Sequence, residues 1–379
     1  MKVCARILWT VLLYSSFAFS QNSSFTLEQV MGSPFPTGLT AARQAGRIAW
    51  IFNSKGERNV WVADAPAFQP RQITHYQGDN GQQIASLRLT PDGRTVVYAR
   101  GSEASGSGHI ANPTSEIKEP RQQVWAAEVE APSAPRLLGD MGCGEEDCED
   151  IEVSPNGQWA VWAGQKNHLW IAPMAGDKPA RQLTELRGDE MEPQWSPDSQ
   201  HILFRSHRKD HSLIVVYDLS PERVHYMAPS SDRDMDARWS PDGRQIIFVR
   251  IGGREYRRPL IPQRAEPWAI WVADAQSGNG HELWHSSAEM NGSLPPFEDT
   301  TLQVAAGNRV LFNSEQDGRN HLYSIALAGG APTLLTPGDF DVEDVSLTPD
   351  KSAVLYSSNQ GDIDRRHLWK VNISGGTPQ

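Results

Sequence analysis

Short apolar runs alternate with turn signals along almost the whole chain. Thr95-Val96-Val97-Tyr98-Ala99, Trp159-Ala160-Val161-Trp162, Ile202-Leu203-Phe204, Ile246-Ile247-Phe248-Val249 and Val354-Leu355-Tyr356 are dense in β-branched and aromatic residues, and they read as buried strands. Each follows a turn phrase: Leu89-Thr90-Pro91-Asp92-Gly93, Val153-Ser154-Pro155-Asn156-Gly157, Trp195-Ser196-Pro197-Asp198, Trp239-Ser240-Pro241-Asp242-Gly243 and Leu347-Thr348-Pro349-Asp350. Proline pre-sets φ for the first central position of a type I turn, Asp or Asn bonds its own backbone, and glycine closes the turn without steric cost. No stretch sustains a helical period, so helix content is expected to be low.

Counting a degenerate copy between the last two, the phrase returns every 42 to 65 residues or so, roughly the period of repeat architectures such as propellers. A second landmark, an apolar residue followed by an aromatic, recurs as Val60-Trp61, Val124-Trp125, Leu169-Trp170, Ile270-Trp271, Leu322-Tyr323 and Leu368-Trp369. The fourth repeat departs from it with Leu213-Ile214. A third closes most repeats, as in Gln72-Ile73-Thr74 and Gln182-Leu183-Thr184. Each repeat therefore reads as one four-stranded blade. The pattern predicts an all-β propeller of about seven blades, beginning near Gly46, Leu87, Ile151, Pro193, Ala237, Thr301 and Val345. The first and sixth carry degenerate turns, Arg43 to Gly46 and Ala305 to Asn308. The last repeat stops just before its outermost strand, so residues 21–45 are a candidate ring-closing strand for the propeller of residues 46–379. Otherwise an eighth blade or a closing strand is missing and the chain is a fragment, with open strand edges.

Residues 1–20 read as a secretory signal peptide: Lys2 and Arg6, then a run from Ile7 to Leu13 that is apolar apart from Thr10, then Ala18-Phe19-Ser20. No later run is apolar for long enough to span a bilayer, so a soluble, exported protein is expected, periplasmic or extracellular. The net charge of −11 and the lack of a clustered basic face argue against a nucleic-acid partner. Beyond the signal peptide lie two cysteines, Cys143 and Cys148. An even count in an oxidising compartment suggests one disulfide, whose short loop would contribute about 2 kcal/mol by the chain-entropy argument. The rival reading is a metal site with the neighbouring acids, but two cysteines without a nearby histidine are a poor zinc set. The thirteen tryptophans read mainly as blade-to-blade packing.

Two repeats carry insertions. Gly101 to Pro120 is rich in glycine and serine, and Ile251 to Pro267 holds the only dense basic stretch, with Arg254, Arg257, Arg258 and Arg264. The basic loop either receives a carboxylate, a peptide terminus or a neighbouring domain, or balances an acidic body.

No motif in the chain supports catalysis. No Gly-x-Ser-x-Gly elbow, phosphate-cradling loop or His-Glu-x-x-His occurs, and His207 and His211 flank a hairpin loop rather than sharing a helix. No catalytic residue, metal site or cofactor is expected. One constellation stands out. Four residues before the turn Ser or Thr, the repeats place Asp150, Glu192, Asp236 and Asp344, with Ser86 in the second repeat. Glu190 and Asp234 lie two residues earlier. In a propeller the innermost strands line a channel, so these acids either gather as a ring that attracts cations or amines, or each accepts hydrogen bonds from its own blade.

Taken together, Phe25 to Val30 with Pro34-Phe35-Pro36, Arg58 to Ala63, Trp268 to Asp274, and Tyr356 to Gln360 with Asp362 to Trp369 resemble the N-terminal propeller of the prolyl oligopeptidase family of serine peptidases, in its dipeptidyl-peptidase and acylaminoacyl-peptidase branch. The turn phrases alone are shared with TolB-type propellers. The resemblance implies a propeller that gates peptide access to a C-terminal α/β-hydrolase domain bearing a Ser-Asp-His triad. No position here matches that triad, so this chain alone is expected to be inactive. The branch also holds the substrate amine with a glutamate pair; Glu145-Glu146 stands in a cysteine-flanked context that does not match it. The expected partners are a peptide substrate, or a hydrolase domain in a full-length protein. The alternative is a free-standing TolB-like module that binds another protein.

Overall fold

A computed structural model describes residues 25–102, 109–130, 134–142, 151–253, 264–295 and 302–379. Within them the chain forms seven consecutive antiparallel blades. Blade 1 is built in order from Phe35–Ala41, Arg47–Ser54, Glu57–Asp64 and Arg71–Gln72. Blades 2 to 7 occupy residues 84–140, 151–182, 189–226, 233–285, 303–334 and 342–372. Blades 4 and 5 are also joined by one parallel bridge, Ser212 to Arg233. A short helix, Leu27–Met31, precedes the first blade, its N-terminus closed by a reciprocal Thr26–Gln29 capping box.

The turn phrase is a small hydrogen-bonded cage. In blade 5 the Ser240 hydroxyl donates to Asp242 at 2.7 Å and accepts from the Gln245 N–H at 2.9 Å, while Asp242 accepts from the Arg244 N–H at 3.1 Å. The same set recurs at Thr90–Asp92, Ser196–Asp198 and Thr348–Asp350, and with Asn156 in place of Asp beside Ser154. Bonds from the hydroxyl and from backbone N–H groups hold the Asp242 carboxyl below its usual range and bring Asp350 down to about 2.

The apolar–aromatic landmark has a packing cause. Side chains alternate across a strand, so its apolar member faces the next blade and its aromatic member the preceding one. Val124 packs toward blade 3 while Trp125 packs toward blade 1. Each landmark aromatic also sits opposite an aromatic on the second strand: Trp50–Trp61, Tyr98–Trp125, Trp162–Trp170, Phe248–Trp271, Phe312–Tyr323 and Tyr356–Trp369. In blade 4 the equivalent pair is Phe204–Val215. The landmark there is therefore Ile214-Val215, one residue later than the sequence suggests, with valine replacing the aromatic. Six apolar cores result among the described residues, one at each seam from blades 1–2 to blades 6–7.

One expectation changes, at the first blade. Phe35–Ala41 does not close the last blade; it pairs with Arg47–Ser54 as the first strand of blade 1, which therefore begins well before Gly46. Pro36 and Gly38 obscured it, since both are unusual inside a strand except at an edge or a bulge. Gly38, at φ +62°, sits in such a bulge. In blade 7 three strands pair, and Gln379 exchanges two backbone hydrogen bonds with Lys370, at 2.8 and 2.9 Å, in the place of an outermost strand. Residues 1–24, Cys143 and Cys148 lie outside the described residues.

Candidate functional site: cavities at the inner strands

The first strands of blades 1 to 5 converge on two adjoining cavities. One, of about 410 Å³, lies against Leu39, Ser86 and Arg88; the other, of about 820 Å³, lies against Glu192, Arg205, Asp236 and Arg238. Arg43, Glu152 and Val153 border both.

The acidic column owes its position to a repeated bulge. The pairing of the first two strands slips between Ala85 and Arg88, between Met191 and Gln194, and between Met235 and Arg238. Inside each slip Ser86, Glu192 and Asp236 adopt positive φ, at 49°, 57° and 55°. An extra residue in one strand bends it and re-aims a side chain. A left-handed backbone at a non-glycine residue costs of order 1 kcal/mol, which the surrounding ladder sustains.

The bulge brings Glu192 and Asp236 to one cavity, each with an arginine. Arg205 Nη2 lies 2.8 Å from Glu192 and Arg238 Nη2 lies 2.7 Å from Asp236. Arg88 Nε approaches Glu152 at 3.4 Å. The wall is thus a band of ion pairs rather than a ring of unneutralised acids. Burial pushes the Asp236 carboxyl up to about 6; Arg238 and Arg205 oppose that shift and the nearby Glu192 adds to it.

The other candidate residues go elsewhere. Asp344 accepts from the Ser357 hydroxyl at 2.8 Å within its own blade. Buried Glu190 accepts from the Thr184 hydroxyl and from the N–H groups of Leu169 and Leu186. Buried Asp234 receives Arg250 through Nε at 2.6 Å and Nη2 at 2.8 Å, and that guanidinium lies 4.2 Å over the Trp271 ring. His211 is held by Asp210 at 2.8 Å in its hairpin. Asp150, Arg254, Arg257 and Arg258 lie outside the described residues, while Arg264 is exposed. The arginines were not among the residues expected from the sequence. Arg88 and Arg238 stand two residues beyond the bulge position and were legible as a second column, but Arg205 comes from the neighbouring strand and carries no such signal.

Comparison with known proteins agrees with this architecture. Residues 270–379 match the profile of the dipeptidyl peptidase IV (DPP IV) N-terminal region. Over 62 residues, 16% of this chain and 8% of the other, the sequence is 37% identical to a probable dipeptidyl peptidase 4 of Aspergillus flavus. The fold superposes on dipeptidyl peptidase 4 of Porphyromonas gingivalis with a TM-score of 0.63 at 11% identity, covering 90% of this chain and 52% of that one. It superposes on the β-propeller domain of the Trilobed protease from Pyrococcus furiosus with a TM-score of 0.52 at 12% identity, covering 91% and 97%. The chain thus spans about half the length of the bacterial dipeptidyl peptidase it resembles. Its last third matches the profile of the DPP IV N-terminal region, and the chain as a whole has a β-propeller fold.

Proposed function

We propose that this chain is the substrate-filtering propeller of an exported serine peptidase acting on peptides, with the hydrolytic groups supplied by an α/β-hydrolase domain outside it. The observation that carries the reading is the wall of the larger of the two cavities. Paired charges line a cavity of about 820 Å³, a polar surface whose size suits an extended peptide better than a folded domain. The chain contains no nucleophile elbow, so the serine-hydrolase groups of this reading are assigned to another domain. The signal-peptide pattern of residues 1–20 supports export. No described helix is long and apolar enough to cross a membrane.

The test is size selection. Joined to the hydrolase domain expected in frame with it, the chain should permit cleavage of a short fluorogenic peptide and spare the same peptide embedded in a folded protein. Equal cleavage of both substrates would overturn the filter. Alone, the chain should not be labelled by a fluorophosphonate probe; covalent labelling would overturn the assignment of chemistry to another domain. A stop codon after Gln379 with no hydrolase partner would favour the free-standing interaction module instead.

A further inference from the structure

The turn of blade 1 breaks the repeat where it borders the cavities. In blades 2, 3, 4, 5 and 7 the N–H of the turn Ser or Thr donates to the carbonyl five residues on, as from Thr90 to Thr95 at 2.9 Å and from Ser240 to Gln245 at 2.8 Å. Blade 1 closes its turn with the same bond, from the Ala42 N–H to the Arg47 carbonyl at 2.9 Å. That bond fixes the correspondence. Ala42 stands where the other turns have a hydroxyl, Arg43 where they have proline, and Gln44 where they have Asp or Asn. Without a hydroxyl at 42 this turn cannot form the cage. It rests on the neighbouring turn instead, the Gln44 N–H donating to the Pro91 carbonyl at 2.9 Å.

The proline position looks onto the cavities. Pro91 borders the smaller and Pro155 the larger, while Arg43 borders both. A short neutral ring in the later blades is thus replaced, in blade 1, by a long cation. Four arginines and three carboxylates border the two cavities. Arg88, Arg205 and Arg238 are taken by Glu152, Glu192 and Asp236. Arg43 is exposed, and among the described residues no carboxylate pairs with it. It is a surplus positive charge on the wall of a chain whose net charge is −11.

We propose that Arg43 is a specificity residue that receives a carboxylate of the bound peptide, either the C-terminus or an acidic side chain; this rests on the peptide-filtering reading above. A guanidinium presents two parallel N–H donors to both oxygens of a carboxylate, a match that an ammonium does not offer. A concave wall concentrates its field on whatever enters. The wall's own acids are already neutralised, so the unmatched charge favours an acidic group over an amine.

Calorimetric titration of the full chain with short acetylated alanine peptides separates the two sources. One peptide ends in a free carboxylate, one is amidated, and one is amidated with a central glutamate. At least one carboxylate peptide should bind about fivefold tighter or more than the neutral amide. Preference for the free end assigns the C-terminus, and preference for the glutamate peptide assigns the side chain. Arg43→Gln should bring the acidic peptides to the level of the neutral one without changing the melting temperature. Arg43→Lys keeps the charge but not the fork, and should retain part of the preference. Equal binding of acidic and neutral peptides, no binding of any, or a preference that survives Arg43→Gln would each overturn the proposal. The filter fails separately. Size selection without a carboxylate preference would remove this site alone, and an Arg43-dependent preference without size selection would remove the filter and keep the site.

Discussion

Blade 3 and blade 1 share one plan and differ in what surrounds it. In blade 3 the cross-strand pair Trp162–Trp170 packs on blade 2, and Trp162 is fully buried. In blade 1 the same pair, Trp50–Trp61, leans on Phe52 and solvent. The residue pattern alone does not decide the energy of a position. The repeat sets which way a side chain points, and the neighbouring blade sets how much burial that direction yields.

The largest expected effect follows from this contrast. Trp162→Ala should cost about 3–5 kcal/mol and Trp50→Ala about 1–2 kcal/mol, read from urea midpoints; equal losses would break the comparison. At the seam of blades 4 and 5, Asp234→Ala should cost about 3–5 kcal/mol, because it leaves the Arg250 guanidinium buried without its carboxylate. Replacing both members by apolar residues should recover most of that loss. Next comes the turn cage. Ser240→Ala removes one hydroxyl that both donates and accepts, and should cost about 1 kcal/mol, with little change in circular dichroism.

The smallest effect is a dependence on pH. Asp236 has a folded pKa near 6 against an ordinary value of 3.8. The native state therefore holds its proton more tightly, and this group's contribution to stability falls as pH rises from about 4 to about 6. Asp236→Asn should gain on the wild type across that window in thermal melts. Asp242 and Asp350 act in the opposite sense: their depressed values support the fold above about pH 4, and that support is lost as pH falls toward 2. An Asp236→Asn advantage that does not grow through pH 6 would place the carboxyl in a wetter setting than the bulge shown here.

These contrasts also explain what could be read from the residues. Strands buried on both faces were legible because burial demands β-branched and aromatic runs, and the turn phrase was legible because its cage needs a hydroxyl and a carboxamide or carboxylate two residues apart. Phe35–Ala41 was not, since an exposed inner strand is free to carry proline and glycine. The acidic column was visible as a spacing. Its neutralisation by Arg205 was not, because that partner arrives across a strand pair whose register slips at the bulge.

The turn cages have a consequence for how the chain reaches its fold. Each closes within about five residues, and each described seam joins only consecutive blades. Among the described residues no core joins the first blade to the last. For an all-β protein the sequence separation of its contacts is therefore small, which favours rapid folding. A blade can condense on the one before it as soon as it leaves the ribosome, so assembly can proceed in the direction of synthesis, one repeat at a time.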